Sequence, residues 1–162
     1  MEVNLPVTHG ELTGRKIPQI VRTAVRIAVF IGEGQAAKCL FVRHPHKGLE
    51  LPGGALEPLE TAEEGAFREL REEAGLILDD YPTAVAGFIP VLDSRGGYWL
   101  DIVLSTRLPE ESTMAAAPMK EFETHWLSNH QLDGAVSAPM HDILMAAWPA
   151  SQHSEDKFAP KQ

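Results

Sequence analysis

Apolar positions along the chain come in short, dense runs separated by turn residues. Ile20 to Ile31 is rich in Val, Ile and Ala with Arg22 and Arg26 set into it, and Lys38 to Arg43 is a second apolar run. Gly32-Glu33-Gly34 between them predicts a hairpin turn. Thr83 to Leu92 and Tyr98 to Arg107 predict another strand pair around the turn-rich Asp93-Ser94-Arg95-Gly96-Gly97, and Phe122 to Leu127 a further strand. Helical spacing occurs twice. Ala66, Phe67, Leu70 and Ala74 fall on one arc at roughly 100° per residue, a stripe suited to packing on a sheet. Thr61 and Glu64 form a capping box at the start of that helix and Gly75 a left-handed cap at its end, so it runs from Ala62 for about thirteen residues. Ser137, with Pro139 in the first turn, caps an apolar helix reaching about Trp148. This order predicts an α+β fold, a mixed sheet lying between helices.

A chain of 162 residues holds one domain with a substantial core. The expected division is an N-terminal arm or strand over 1–18, the domain over 19–149, and a disordered polar tail over 150–162. No apolar run approaches the ~18 residues of a bilayer span, and Glu2 and Asn4 stand where a signal sequence would be basic and then apolar. Cys39 is the single cysteine, which excludes an intrachain disulfide and fits a reducing compartment. The expectation is a cytoplasmic protein with no membrane partner. The net charge of −9 argues against sequence-independent nucleic-acid binding.

That charge is unevenly placed. Glu57 to Glu73 holds seven Glu and two Arg, a net −5. Glu69, Glu72 and Glu73 lie on an arc adjacent to the apolar stripe, at spacings where like charges repel. Arg68 can pair with Glu64 and Glu72 across single turns, yet one arginine does not neutralise three carboxylates. A hard cation with oxygen ligands does, and Mg²⁺ is the usual one where phosphates are also bound. The bland alternative is a solvated acidic face. Leu51-Pro52-Gly53-Gly54 precedes the helix with two glycines, letting backbone approach a ligand closely, which favours the cation.

The run Gly54, Glu60, Arg68, Glu69, Leu70, Glu72, Glu73, Gly75, Leu76 has the spacing Gly-x5-Glu-x7-Arg-Glu-Leu-x-Glu-Glu-x-Gly-Leu. It resembles the Nudix box of the Nudix hydrolases, with every defining position filled. Leu59 departs from the surrounding pattern, standing where many members have glycine, and Glu50 stands where an aromatic is frequent. The resemblance implies an α/β/α sandwich and hydrolysis of a nucleoside diphosphate linked to another group. It further implies Glu69, Glu72 and Glu73 as carboxylate ligands of Mg²⁺, for which Mn²⁺ would substitute, and the Gly54 carbonyl as a backbone ligand. Arg68 would hold a box carboxylate in its productive rotamer, with Glu60 as a supporting partner.

The general base stays open among Glu69, Glu73 and the downstream Glu121 and Glu123. Arg43, His44, His46 and Lys47 precede the box loop; Arg43 and Lys47 are the candidates for substrate phosphate, against the reading of a polar surface loop. His44 and His46 make a weak zinc case. Trp99, Trp126 and Trp148 read as core or core-edge residues, one of which would stack on a base. A nucleoside triphosphate, oxidised forms included, is the leading substrate, and ADP-ribose or a nucleotide sugar the second, with Pro90 a weak marker for ADP-ribose. A non-catalytic nucleotide-binding module is the contrasting class, disfavoured by the complete carboxylate set. Many Nudix enzymes are dimers, so a homodimer is open although no interface is legible.

Overall fold

The computed structural model describes residues 9–12, 15–18, 21–79, 81–93, 95–109, 115–116 and 121–151. The expected arm falls partly outside these residues, as does most of the expected tail. Within the arm, His9–Leu12 (β1) pairs with Arg15–Pro18 (β2) as an antiparallel hairpin.

Val21–Ile31 (β3) is the spine of the sheet, because it carries apolar residues on both faces. Tyr98–Leu108 (β9) pairs with it in parallel along its whole length, from Val21↔Tyr98 to Ile31↔Leu108. The opposite edge of β3 is divided. Lys38–His44 (β4) takes only Phe30 and Ile31, whereas Gly53–Ala55 (β6) takes Ala24 to Arg26. Between these pairings Ile27 N–H donates to the Pro52 carbonyl at 2.9 Å, which satisfies that donor where β4 departs. β4 pairs on its other side with Glu123–Leu127 (β11) and at its end with Gly48–Glu50 (β5). Ala84–Leu92 (β8) lies antiparallel to β9, with a bulge between Val85 and Gly87. The order is β11-β4-β3-β9-β8, a mixed sheet as expected. Leu76–Ile77 (β7) and Ala115–Ala116 (β10) form a separate pair. The hairpin expected at Gly32 forms with a longer connection, a 3₁₀ turn at Gly34–Ala36 carrying the chain into β4.

Ala62–Glu69 (α1) begins with the expected capping box: Glu64 N–H donates to Thr61 Oγ1 at 3.1 Å and Thr61 N–H to Glu64 Oε2 at 2.8 Å. The helix continues to Ala74 and ends at Gly75 with φ 70°, but Leu70–Ala74 is wound as a wider π turn. The Glu72 and Glu73 carbonyls accept the N–H groups of Glu121 and Phe122, at 2.9 and 3.0 Å. The stretch leading into β11 is thereby fastened to the end of this helix. Ala138–Ala147 (α2) is capped by the Ser137 hydroxyl, which accepts from Met140 N–H at 3.4 Å.

The two helices cover opposite faces of the sheet. Ala66, Phe67, Leu70 and Ala74 pack on Val25, Ile27 and Val29, with Leu40, Val42 and Leu104 beside them. On the other face Ala28, Phe30, Cys39, Phe41 and Val103 lie under Leu144 of α2, and Trp148 meets Phe30 edge-on at 5.2 Å between ring centroids. Each of the buried phenylalanines contributes about 1.5–3 kcal/mol of transfer free energy. Burial pushes the Cys39 thiol far above its ordinary range, so it is an inert core group. This second core stops at Ala28. Farther along the same face of β3 stand Arg26, Ala24 and Arg22, which line an open cleft.

Candidate active site

Arg68 is the hub of the acidic helix. Its Nε donates to Glu60 Oε1 at 2.7 Å and Nη2 to Glu60 Oε2 at 3.1 Å, a two-pronged pair. Nη1 reaches Glu69 Oε1 at 2.9 Å and Glu72 Oε2 at 3.4 Å, and Nη2 also donates to the Ala55 carbonyl at 3.1 Å. The partner read from helical spacing, Glu64, is not used, because its carboxylate is committed to the capping box. Glu60 takes its place from the loop before α1; the Arg68 guanidinium holds the Glu60 carboxyl below its ordinary value. Arg68 itself is held firmly charged by Glu60 and Glu69.

The three box carboxylates differ in environment. Glu72 is 55% exposed, while the Glu69 side chain is 13% exposed and lies against Gly54, where an added Cβ would collide with its carboxylate. Glu73 is half-buried and accepts the Gly53 backbone N–H at 3.1 Å. Burial raises the Glu69 carboxyl against the opposing pull of Arg68. Burial likewise pushes Glu73 up to about 7, with the Gly53 bond opposing and the Glu69 charge adding to the rise. Burial is thus the main cause of both rises, and Arg68 and Arg26 oppose it.

Among the described residues no three ligating side chains are gathered around one point: Glu69 and Glu72 turn to Arg68, and Glu73 turns to Gly53. The donors nevertheless suit a hard cation. They are all oxygen, two of them are carboxylates raised first by burial and further by neighbouring carboxylates, and Gly54 leaves open the space a side chain would fill.

The cleft in front of these groups measures about 540 Å³. Gly53, Gly54 and Glu73 line it together with Trp99 and the basic Arg22, Arg26, His44, Lys47 and Arg95, and so do the acids Glu50, Asp93 and Asp101. Of the two phosphate candidates, Lys47 is in this lining. Arg43 is outside it, with its Nε 3.4 Å from His125 Nε2 and 3.9 Å from Glu123. The downstream acids divide similarly. Glu123 is on the side of Arg43 and His125, whereas Glu121 is near enough to the box for its charge to act on Glu73.

Arg22, Arg26, Arg95 and Trp99 were not assigned to the cleft by sequence. The available signal was Arg22 and Arg26 at even positions of an apolar strand, facing the same side as Ala24. Trp99 departs from the core reading. Its Nε1 donates to Asp93 Oδ2 at 3.0 Å, and Arg22 lies over its ring at 5.5 Å from the centroid. Asp93 also accepts from the N–H groups of Arg95 and Gly97, both at 2.8 Å; these bonds, Gly97's foremost, hold its carboxyl below the ordinary range and fix the turn beside the cleft. Trp126 packs against the α1-side core and Trp148 against the other.

The NUDIX domain family model matches residues 21–148. In sequence, the chain is 53% identical over 38 residues to a Bacillus subtilis (strain 168) protein provisionally named 8-oxo-dGTP diphosphatase YtkD; the match spans 24% of each chain. Among solved structures, it resembles the Caenorhabditis elegans Ap4A hydrolase with a TM-score of 0.64 at 15% identity, covering 79% of this chain and 96% of that one. The Nudix hydrolase RenU of M. smegmatis aligns with a TM-score of 0.58 at 23% identity, over 80% and 89% of the two chains. The NUDIX domain of Shewanella oneidensis NrtR, solved with ADP-ribose, aligns at 0.60 and 18% identity, over 80% and 87%. At these identities the structural likeness speaks for the fold. Since the family model spans most of the chain, including every box residue described above, the chain belongs to the NUDIX domain family.

Proposed function

We propose that this protein is a Mg²⁺-dependent pyrophosphohydrolase of nucleoside triphosphates, oxidised forms included. The observation that carries the reading is the meeting of the half-buried Glu73 carboxyl, with Glu69 set against Gly54, and a glycine-lined loop in a cleft that also presents Arg22, Arg26, Lys47 and Arg95. Glu69, Glu72 and Glu73 with the Gly54 carbonyl are the groups that would hold the cation, and Mn²⁺ offers the same hard acceptor. Such a cation, when bound, neutralises phosphate oxygens and lowers the pKa of water. Lys47, Arg22 and Arg95 attract the polyphosphate and orient it along the cleft. Arg68 holds Glu69 while Glu60 holds Arg68, so the helix carboxylates are positioned before substrate arrives. Glu121, fastened to the helix end by its own backbone, is the favoured proton acceptor for the attacking water; Glu123 faces Arg43 instead. The provisional name of the Bacillus relative supports the triphosphate choice.

The test is a substrate panel with and without Mg²⁺: ordinary and oxidised nucleoside triphosphates, ADP-ribose, nucleotide sugars and dinucleoside polyphosphates, run beside Glu73→Gln. Metal-dependent triphosphate cleavage, reduced by orders of magnitude in the variant, is the expected result. Cleavage of ADP-ribose alone would move the substrate assignment, and tight nucleotide binding with no turnover would favour the non-catalytic module.

A further inference from the structure

Three charged side chains form a partition at the inner end of the cleft. Arg26 lies between Asp101, at 3.4 Å from Nε to Oδ2, and Glu50, at 3.5 Å from Nη1 to Oε2. Both contacts are long, and one guanidinium serves two carboxylates. The Asp101 side chain is only 13% exposed, and Arg26 is its one ion-pair partner among the described residues; the same holds for Glu50 at 30%. Partly buried carboxylates with spare lone pairs are satisfied when a ligand brings N–H or O–H donors.

Beyond the partition the cavity continues for about 420 Å³ and changes character. Leu51, Ile89, Val136 and Met140 line it, while Arg26, Lys47, Glu50, Val91 and Asp101 face both compartments. Apolar walls with a few oriented polar groups at one end suit a flat heterocycle, whereas the first compartment, with Arg22, Arg95 and Glu73, suits a polyphosphate carrying a cation.

We infer that this second compartment receives the nucleobase and that Asp101 and Glu50 select a base carrying adjacent N–H donors on its edge, the guanine type. The inference rests on the nucleotide reading above. Guanine presents N1–H beside its exocyclic amine, so a carboxylate accepts both. Adenine places a bare ring nitrogen next to its amine, and that lone pair opposes the carboxylate. A ribose diol also donates to carboxylates, but these apolar walls fit the face of a base better than a sugar.

The experiment compares kcat/KM for dGTP and dATP in the wild type, Asp101→Asn and Glu50→Gln, together with calorimetric binding of dGMP, dAMP and GMP, which needs no turnover. The expected result is a wild-type preference for dGTP and dGMP. Either carboxamide should lower the dGTP:dATP ratio on the order of tenfold, chiefly through KM, because a charged hydrogen bond is lost. Since both substrates share the same machinery, the ratio cancels general damage to the fold. Equal wild-type binding of dGMP and dAMP, or an unchanged ratio in both variants, would overturn the inference. A preference for GMP over dGMP that the variants abolish would overturn it in favour of the ribose. Retained dGMP selectivity without hydrolysis of either triphosphate would support the base site and refute the proposed reaction.

Discussion

Gly53 donates its backbone N–H to Glu73 Oε2 at 3.1 Å, joining the loop before the box helix to that helix's penultimate residue. Gly53 is also paired with Arg26 in the sheet, so one short strand fixes both the acidic helix and the Arg26 lining of the cleft. An alanine Cβ at Gly53 would collide with the Val25 carbonyl and the Arg26 backbone, neither of which can rotate away. At Gly54 the obstacle is the Glu69 carboxylate, the end of a side chain. Gly53→Ala is therefore expected to lose about 2 kcal/mol or more of stability. Gly54→Ala should lose less stability but much of its activity, because Glu69 is displaced. Chemical denaturation and steady-state kinetics on the two variants check this, and equal stability losses would refute the distinction.

The raised Glu73 carboxyl predicts a pH signature. Its ordinary value is 4.5 and its folded value about 7, so the native state holds this proton more tightly than the unfolded chain does. Its contribution to stability is complete below 4.5 and is lost as pH rises through about 7. Glu73→Gln keeps an acceptor for Gly53 N–H and carries no charge. In metal-free buffer its Tm should climb relative to wild type between pH 5 and pH 8, and Mg²⁺ should narrow that gap by binding the ionised form. Glu60 and Asp93, both held low, tilt both proteins the opposite way and cancel in the difference. A gap independent of pH would contradict the assignment.

Leu59 has φ 67°, the left-handed region that glycine favours, and its side chain is 96% exposed. Relief of that strain is worth about 1–2 kcal/mol, against roughly 0.4–1 kcal/mol of added unfolded-state entropy. Leu59→Gly should thus raise Tm modestly without changing kcat. A lower Tm would show that Leu59 makes a compensating contact.

Arg68→Ala leaves Glu60, whose side chain is 11% exposed, with only the Glu57 N–H as partner among the described residues. A loss of about 2–3 kcal/mol is expected, along with a fall in kcat as Glu69 is released. Arg68→Lys should recover part of the stability and little of the kcat, since an ammonium cannot reproduce the fork. Full recovery of kcat by lysine would show that charge alone suffices.

Lys47 and Arg43 are four residues apart in the chain but are placed differently. Lys47→Ala should raise KM several-fold with little change in kcat, whereas Arg43→Ala should leave KM near wild type. The reverse pattern would return phosphate binding to Arg43.

Local periodicity and end chemistry made the elements readable. The capping box at Thr61 and Glu64, the left-handed Gly75, the stripe from Ala66 to Ala74 and the apolar strands each involve residues within a turn or two of one another, and each appears in the fold. The box spacing likewise carries the family, because it lies within one loop and one helix. Partner choice lay beyond that reach. Arg68 prefers Glu60 to Glu64 because the cap has already claimed the nearer carboxylate. Arg26 meets Glu50 and Asp101 because β6 occupies the edge of β3 that β4 vacates, while β9 runs parallel along the other. The separation of Glu121 from Glu123 and the placing of Trp99 in the cleft follow from the same register. The sequence by itself determined which elements form and which carboxylates cluster, since those depend on short-range sterics and hydrogen bonds. Only the tertiary structure decided which charges face one another, because strand pairing brings together residues far apart in the chain and leaves each a limited number of partners.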